Sequence, residues 1–167
     1  MDPITIAALV IGGGLLLAFW NHIRALFMRF VIPTVTKILG DTIGGALASL
    51  LSYVETPITK LRASLARLWR TVTERILGIK TTYKVQGSEV IENTDVFLLP
   101  KTDGDQVEVV TQRRKLTYDM LPQSIRSRMY RQNTNTAELD GLEALRNRLE
   151  ATAKKQGEPI SLAAAEG

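Results

Sequence analysis

"PITIAALVIGGGLLLAFWNHIRALFMRF", Pro3 to Phe30, decides how the rest of the chain is read. Its part from Ile4 to Trp20 holds seventeen residues without a charge, about 25 Å of helix at about 1.5 Å per residue. A bilayer's hydrocarbon core is about 30 Å thick, so the run is at the short end of a span. Carrying the helix on through Ile23, Leu26 and Phe27 makes up the difference. A cleaved secretory signal would open with positive charge, whereas this chain opens with "MDP". A buried helix of a globular domain is the rival reading, but the residues that follow offer little sheet or helix to enclose such a rod. A permanent transmembrane anchor over residues 1–32 is therefore expected. Trp20 would sit at the membrane interface, with Arg24 and Arg29 reaching headgroups. Because His22, Arg24 and Arg29 follow the run, the positive-inside rule predicts a bacterial inner-membrane protein. Its N-terminus would lie outside and its C-terminal domain in the cytoplasm.

The charge distribution agrees. Residues 1–80 carry nine Lys/Arg and four Asp/Glu, a net of +5, and residues 81–167 carry twelve and thirteen, a net of −1. Positive charge beside apolar segments suits an anionic membrane surface better than DNA. With no Cys in 167 residues, disulfide scaffolds and zinc–thiolate sites are excluded. A single His22 cannot by itself build a His-based metal site or a His-centred triad. No phosphate-binding glycine loop, GxSxG or HExxH occurs. No catalytic residue, metal site or cofactor is expected, and the chain does not read as an enzyme.

Residues 33–79 read as apolar and amphipathic helices that need neighbours. Pro33 should kink or end a helix. In "GDTIGGALASLLSYV", Gly40, Gly44, Ala48 and Ser52 recur every four residues, a ridge of small side chains that lets helices approach closely. Packing within the chain and contact between subunits both fit it. "TPITKLRASLARLWRTVTERIL", Thr56 to Leu77, starts with an N-cap Thr and a Pro at N1. Ile58, Leu61, Leu65, Leu68 and Val72 step by three and four, a coiled-coil seam. A membrane-surface helix, a helix on its own domain and a bundle of symmetry mates all remain open.

From Thr81 the period changes. "TTYKVQG", "DVFLL" and "QVEVVTQ" read as strands, with a hairpin from Asp95 to Gln112 bending at Asp103-Gly104. Two helices follow. The first places Leu121, Ile125 and Met129 on one face, with Pro122 in its first turn; the second starts after a capping Thr136 and carries Leu139, Leu142, Leu145 and Leu149. The fold class is thus a membrane-anchored α+β protein: an N-terminal transmembrane helix, amphipathic helices, and a small three-stranded sheet with two helices over residues 80–155. Residues 156–167 read as a mobile or docking tail. Arg113, Arg114, Lys115, Arg126, Arg128 and Arg131, with Tyr118 and Tyr130 nearby, could hold a nucleotide or oligonucleotide, Arg on phosphate and Tyr on a base. A solvated charged face is the alternative.

This layout resembles small membrane effectors of bacterial anti-phage systems. The nearest is the membrane effector of the Hailong system, and cyclic-oligonucleotide-gated CRISPR membrane effectors come next. The likeness rests on Ile4–Trp20, Gly40–Val54, the Thr56–Leu77 seam and the Thr81–Lys155 domain. It implies a homo-oligomeric channel whose cytoplasmic part senses a nucleotide signal and depolarises an infected cell, a toxin of antiviral defence. Membrane lipid, further copies of the chain, a nucleotide or oligonucleotide and a protein regulator are the expected partners. A membrane-tethered scaffold or binding protein without a pore, and a phage virion or lysis protein, are the alternatives.

Overall fold

A computed structural model describes residues 8–10, 20–57, 63–100 and 106–162. Among these, the order is β1 (Ala8–Val10), α1 (Trp20–Leu26), a π-helical turn (Phe27–Val31), α2 (Ile32–Leu39), α3 (Asp41–Glu55), α4 (Leu65–Thr73), β2 (Ile76–Gln86), β3 (Glu89–Leu98) and β4 (Glu108–Thr117). A 3₁₀ turn (Tyr118–Met120), α5 (Gln123–Gln132), β5 (Thr136–Asp140) and α6 (Gly141–Lys155) complete it.

The sheet has the order β1-β5-β2-β3-β4, antiparallel except where β1 runs parallel to β5. A two-residue turn joins β2 to β3, pairing Gln86 with Glu89. Gly87 takes φ +65° there, the left-handed first position a tight hairpin asks for. Strand alternation then sorts side chains by face. Ile79, Thr81 and Tyr83 of β2 share the inner face with Val90, Glu92, Thr94, Val96 and Leu98 of β3, and all are buried. Lys80, Lys84, Arg113 and Lys115 alternate with them onto the outer face and are exposed.

The helices cover the inner face. α6 lies on β2 and β5 and touches α1 and α3; α3 packs against α2 and α4. The core they enclose includes Phe27, Leu47, Leu50, Leu65, Trp69, Ile79 and Leu145, none more than marginally exposed. Each such side chain contributes about 1.5–3 kcal/mol on burial. The π turn has a local cause. Pro33 has no N–H and its ring would collide with the carbonyl of residue 29, so a regular α-helix cannot run through it. The chain widens instead, with Ile32 N–H donating to the Phe27 carbonyl five residues back.

The expected transmembrane anchor over residues 1–32 is overturned. Ala8–Val10 is a strand paired with Thr136–Glu138, and no helix among the described residues is long and apolar enough to cross a membrane. Residues 11–19 of the anchor run lie outside the described residues. The inner-membrane placement with an outside N-terminus, the ion-channel reading and the membrane-anchored fold class fall with that span. The physical reason is that hydropathy measures avoidance of water and does not say what replaces it. Ile23, Leu26, Phe27, Phe30 and Val31, which continue the apolar run, are buried in the protein's own core. The interface residues are accounted for in the same way. Trp20 is 5% exposed, with the Arg148 guanidinium 5.9 Å from its ring centre. Arg24 pairs with Glu55 of α3 at 2.5 Å, and Arg29 reaches β3.

Gly44 is buried against α2, where an added Cβ would lie 2.1 Å from Thr36 Oγ1. Gly40 caps α2, while Ala48 and Ser52 are exposed. Leu65 and Val72 are fully buried and Leu68 partly, all toward the chain's own core. Ile58 and Leu61 lie outside the described residues. The helix expected from Thr56 to Leu77 is described over Leu65–Thr73, and Ile76 and Leu77 already belong to β2. The expected three strands are longer and joined by β1 and β5; the Asp103-Gly104 bend lies outside the described residues. Thr136, expected as a helix cap, begins β5 instead, and Asp140 caps α6 by accepting from Glu143 N–H at 3.0 Å.

Candidate functional site

Two places concentrate polar chemistry. The first is a groove where α5 ends and β5 begins. α5 stops at Gln132 because Asn133 turns left-handed (φ 53°, ψ 47°), a conformation Asn tolerates better than most residues. Asn133 and Thr134 N–H donate back to the carbonyls of Tyr130 and Met129, and Val85 N–H donates to the Asn135 carbonyl at 2.8 Å. These bonds hold Tyr130, Arg131, Asn133, Thr134 and Asn135 around a groove of about 560 Å³, with Val85, Tyr118 and Met129 completing it. Tyr130 is 86% exposed. Tyr118 carries the Arg126 guanidinium 5.7 Å from its ring centre. Thr134 Oγ1 and Asn135 Oδ1 are buried without a hydrogen-bond partner among the described residues.

The second is a charged cluster on the inner sheet face. Glu92 of β3 is 2% exposed, yet its Oε1 stands 3.1 Å from Arg29 Nη2 and 3.1 Å from Arg114 Nε. Arg29 also donates through Nε to Gln112 Oε1 at 3.3 Å. His22 Nε2 is 2.6 Å from the Tyr83 hydroxyl and 3.5 Å from Glu92 Oε2. The register brings this about. Tyr83, Glu92 and Arg114 are successive cross-strand partners in one row, and Thr94 and Gln112 face each other in the next. Helix α1 and the π turn lay His22 and Arg29 over that row.

Burial alone would push the Glu92 carboxyl up, but contact with His22 and the charge of Arg114 outweigh it and hold the carboxyl below its ordinary value. The Tyr83 hydroxyl is pushed well above the ordinary range, first by burial and then by the Glu92 charge. Desolvation, then the neighbouring Arg114, lowers the Arg29 guanidinium. The satisfaction is incomplete. Among the described residues, Glu92 Oε2 and Arg114 Nε are buried without a properly aimed hydrogen bond, so the short Arg114–Glu92 approach is an ion pair and not a hydrogen bond.

The six basic residues singled out in the sequence separate. Arg131 lines the groove and Arg126 sits over Tyr118 beside it; Arg128 is half-buried on α5. Arg113 and Lys115 point to the outer sheet face, while Arg114 between them joins Glu92. Sequence reasoning missed Glu92, Tyr83 and Gln112 altogether. The available signal was an acid in the apolar phase of "EVIENTDVFL", in step with Val90, Val96 and Leu98. No group of His, Asp and Glu among the described residues could hold a metal ion. No protein-family model, curated protein or solved structure matches the chain.

Proposed function

We propose that this domain is a ligand-binding module that takes a nucleotide, free or at the end of an oligonucleotide, in the α5–β5 groove. The observation that carries the reading is the meeting, in one groove, of two tyrosines, Arg131 and two buried acceptors without a partner among the described residues. A groove of about 560 Å³ is within the range of small-molecule sites. A nucleobase supplies a flat π face for Tyr130 and amino protons for Thr134 Oγ1 and Asn135 Oδ1. Its phosphate would lie against Arg131, which offers paired N–H donors. Buried acceptors left unpaired cost free energy, so a ligand that donates to them recovers it.

Calorimetric titration with the four common nucleoside monophosphates tests this. Adenine, guanine and cytosine carry an exocyclic amino group and should bind more tightly than uracil, which has none. Tyr130→Ala should weaken binding about tenfold, since stacking on one ring is worth about 1–3 kcal/mol per base. Its folding stability should move by no more than about 0.5 kcal/mol, because the side chain is exposed. No measurable heat with any of the four, or equal affinity in Tyr130→Ala, would refute the reading.

A further inference from the structure

The charge count around Glu92 does not close. One carboxylate faces two guanidiniums, and both approach the same oxygen at 3.1 Å, so their contacting nitrogens lie within about 6 Å of each other. His22 adds a third nitrogen on the other oxygen, 3.5 Å away. Even with His22 neutral, the cluster carries one positive charge in excess. Like charges so close, both partly withdrawn from water, repel one another unless something opposes them. Among the described residues, no other acid contacts either guanidinium.

The surplus is reachable. The Arg29 and Arg114 side chains are 32% and 30% exposed, whereas Glu92 beneath them is closed off. Arg114 makes its one described contact through Nε, so its two terminal nitrogens are uncommitted among the described residues. Arg29 uses Nε and Nη2, on Gln112 and Glu92, and keeps Nη1. Two guanidiniums held by one carboxylate, each about a third exposed and with N–H groups uncommitted among the described residues, are the donor set that grips a tetrahedral oxyanion. They are also fixed before any ligand arrives. Arg29 is set by the π turn that Pro33 imposes, and Arg114 by the register of β4 on β3.

We infer that Arg29 and Arg114 form a binding site for a phosphate-type oxyanion, separate from the α5–β5 groove, in which the anion neutralises the excess charge over Glu92. Glu92 is a positioning residue: it orients both guanidiniums and does not touch the anion. The occupant is inorganic phosphate or the phosphate group of a larger molecule. Because the anion contacts the π turn and the sheet edge together, binding stabilises the packing of the N-terminal helices on the sheet.

The test is a titration of the intact chain with sodium phosphate against sodium chloride at equal ionic strength, reading the melting temperature and the Arg Nε–Hε resonances. Phosphate at ten times its Kd should raise the melting temperature by about 3–6 °C and move the Arg29 and Arg114 resonances saturably. Chloride should do neither. Arg114→Gln should weaken phosphate binding about tenfold or more, while Arg113→Gln, on the opposite sheet face, should leave it unchanged. A nucleoside without phosphate should leave the two resonances still, and a monophosphate should move them if attached phosphates also enter. Tyr130→Ala should keep the phosphate effect, so failure here and failure of the groove are distinguishable. Equal effects of chloride and phosphate, or still resonances in the wild-type chain, would overturn the inference. So would an Arg114→Gln protein that keeps the full shift.

Discussion

Glu92 illustrates how one residue can fix the relation of two layers. It lies in the core-facing phase of β3, where an unpaired carboxylate would be expelled or protonated, and it survives as an anion because Arg29, Arg114 and His22 converge on it. A carboxyl whose pKa is lower folded than unfolded adds stability above its ordinary value of 4.5, and that stability is lost as pH falls below it. Glu92→Gln should therefore flatten the acid limb of the stability–pH curve. At neutral pH it should cost about 3 kcal/mol, the lower end for breaking a buried pair, because both guanidiniums keep a third of their surface in water. Urea unfolding from pH 3 to 7 measures both effects. Little of this was legible beforehand: Glu92 lies ahead of the strand expected from Asp95, and a residue outside any expected strand has no assigned face until the register is known. Arg131 and Tyr130 stood out in the sequence only as part of a run of cations with tyrosines nearby, and it takes the α5–β5 junction to bring them to one groove.

Elements were read well where periodicity is local and poorly where pairing is distant. Ile125 and Met129 on α5 are buried as helical spacing predicts, whereas Leu121, expected on the same helical face, is buried ahead of the helix at the end of the 3₁₀ turn. β5 did not announce itself, since "TAELD" has helix-forming residues and becomes a strand only because β2 and β1 flank it. The cap therefore falls on Asp140 and not Thr136. Asp140→Ala should cost about 1 kcal/mol, read by thermal or chemical denaturation, through loss of the bond to Glu143 N–H. The α2–α3 hairpin offers a sharper contrast. Gly44→Ala must push Thr36 away and should destabilise by about 1–3 kcal/mol. Gly45→Ala meets nothing within 4 Å and should be neutral or stabilising by up to about 1 kcal/mol, since Ala is the better helix former. Of the four small residues only Gly44 meets another helix, since Gly40 caps α2 and Ala48 and Ser52 are exposed, so the spacing promised a longer contact than the fold makes.

At the scale of the molecule, the decisive ambiguity was the environment of the N-terminal apolar residues. A run ending in Trp20, followed by Ile23, Leu26 and Phe27, satisfies the arithmetic of a short span. Ala8–Val10 is instead a strand, and Ile23, Leu26 and Phe27 belong to a helix and π turn packed in the core, a choice that depends on partners spread from β2 to α6 that local pattern cannot reveal. The same cations that read as headgroup contacts then become internal pairs, Arg24 with Glu55 and Arg29 with Glu92. Residues 20–39 are held on the sheet through this cluster, by His22 and Arg29 on Glu92. A double-mutant cycle tests it most directly, using Arg29→Gln, Glu92→Gln and the pair, each unfolded in urea at neutral pH. Direct contact predicts a coupling energy above about 1 kcal/mol. Additive costs, agreeing within about 0.3 kcal/mol, would mean that the N-terminal helices do not sit on the sheet as described.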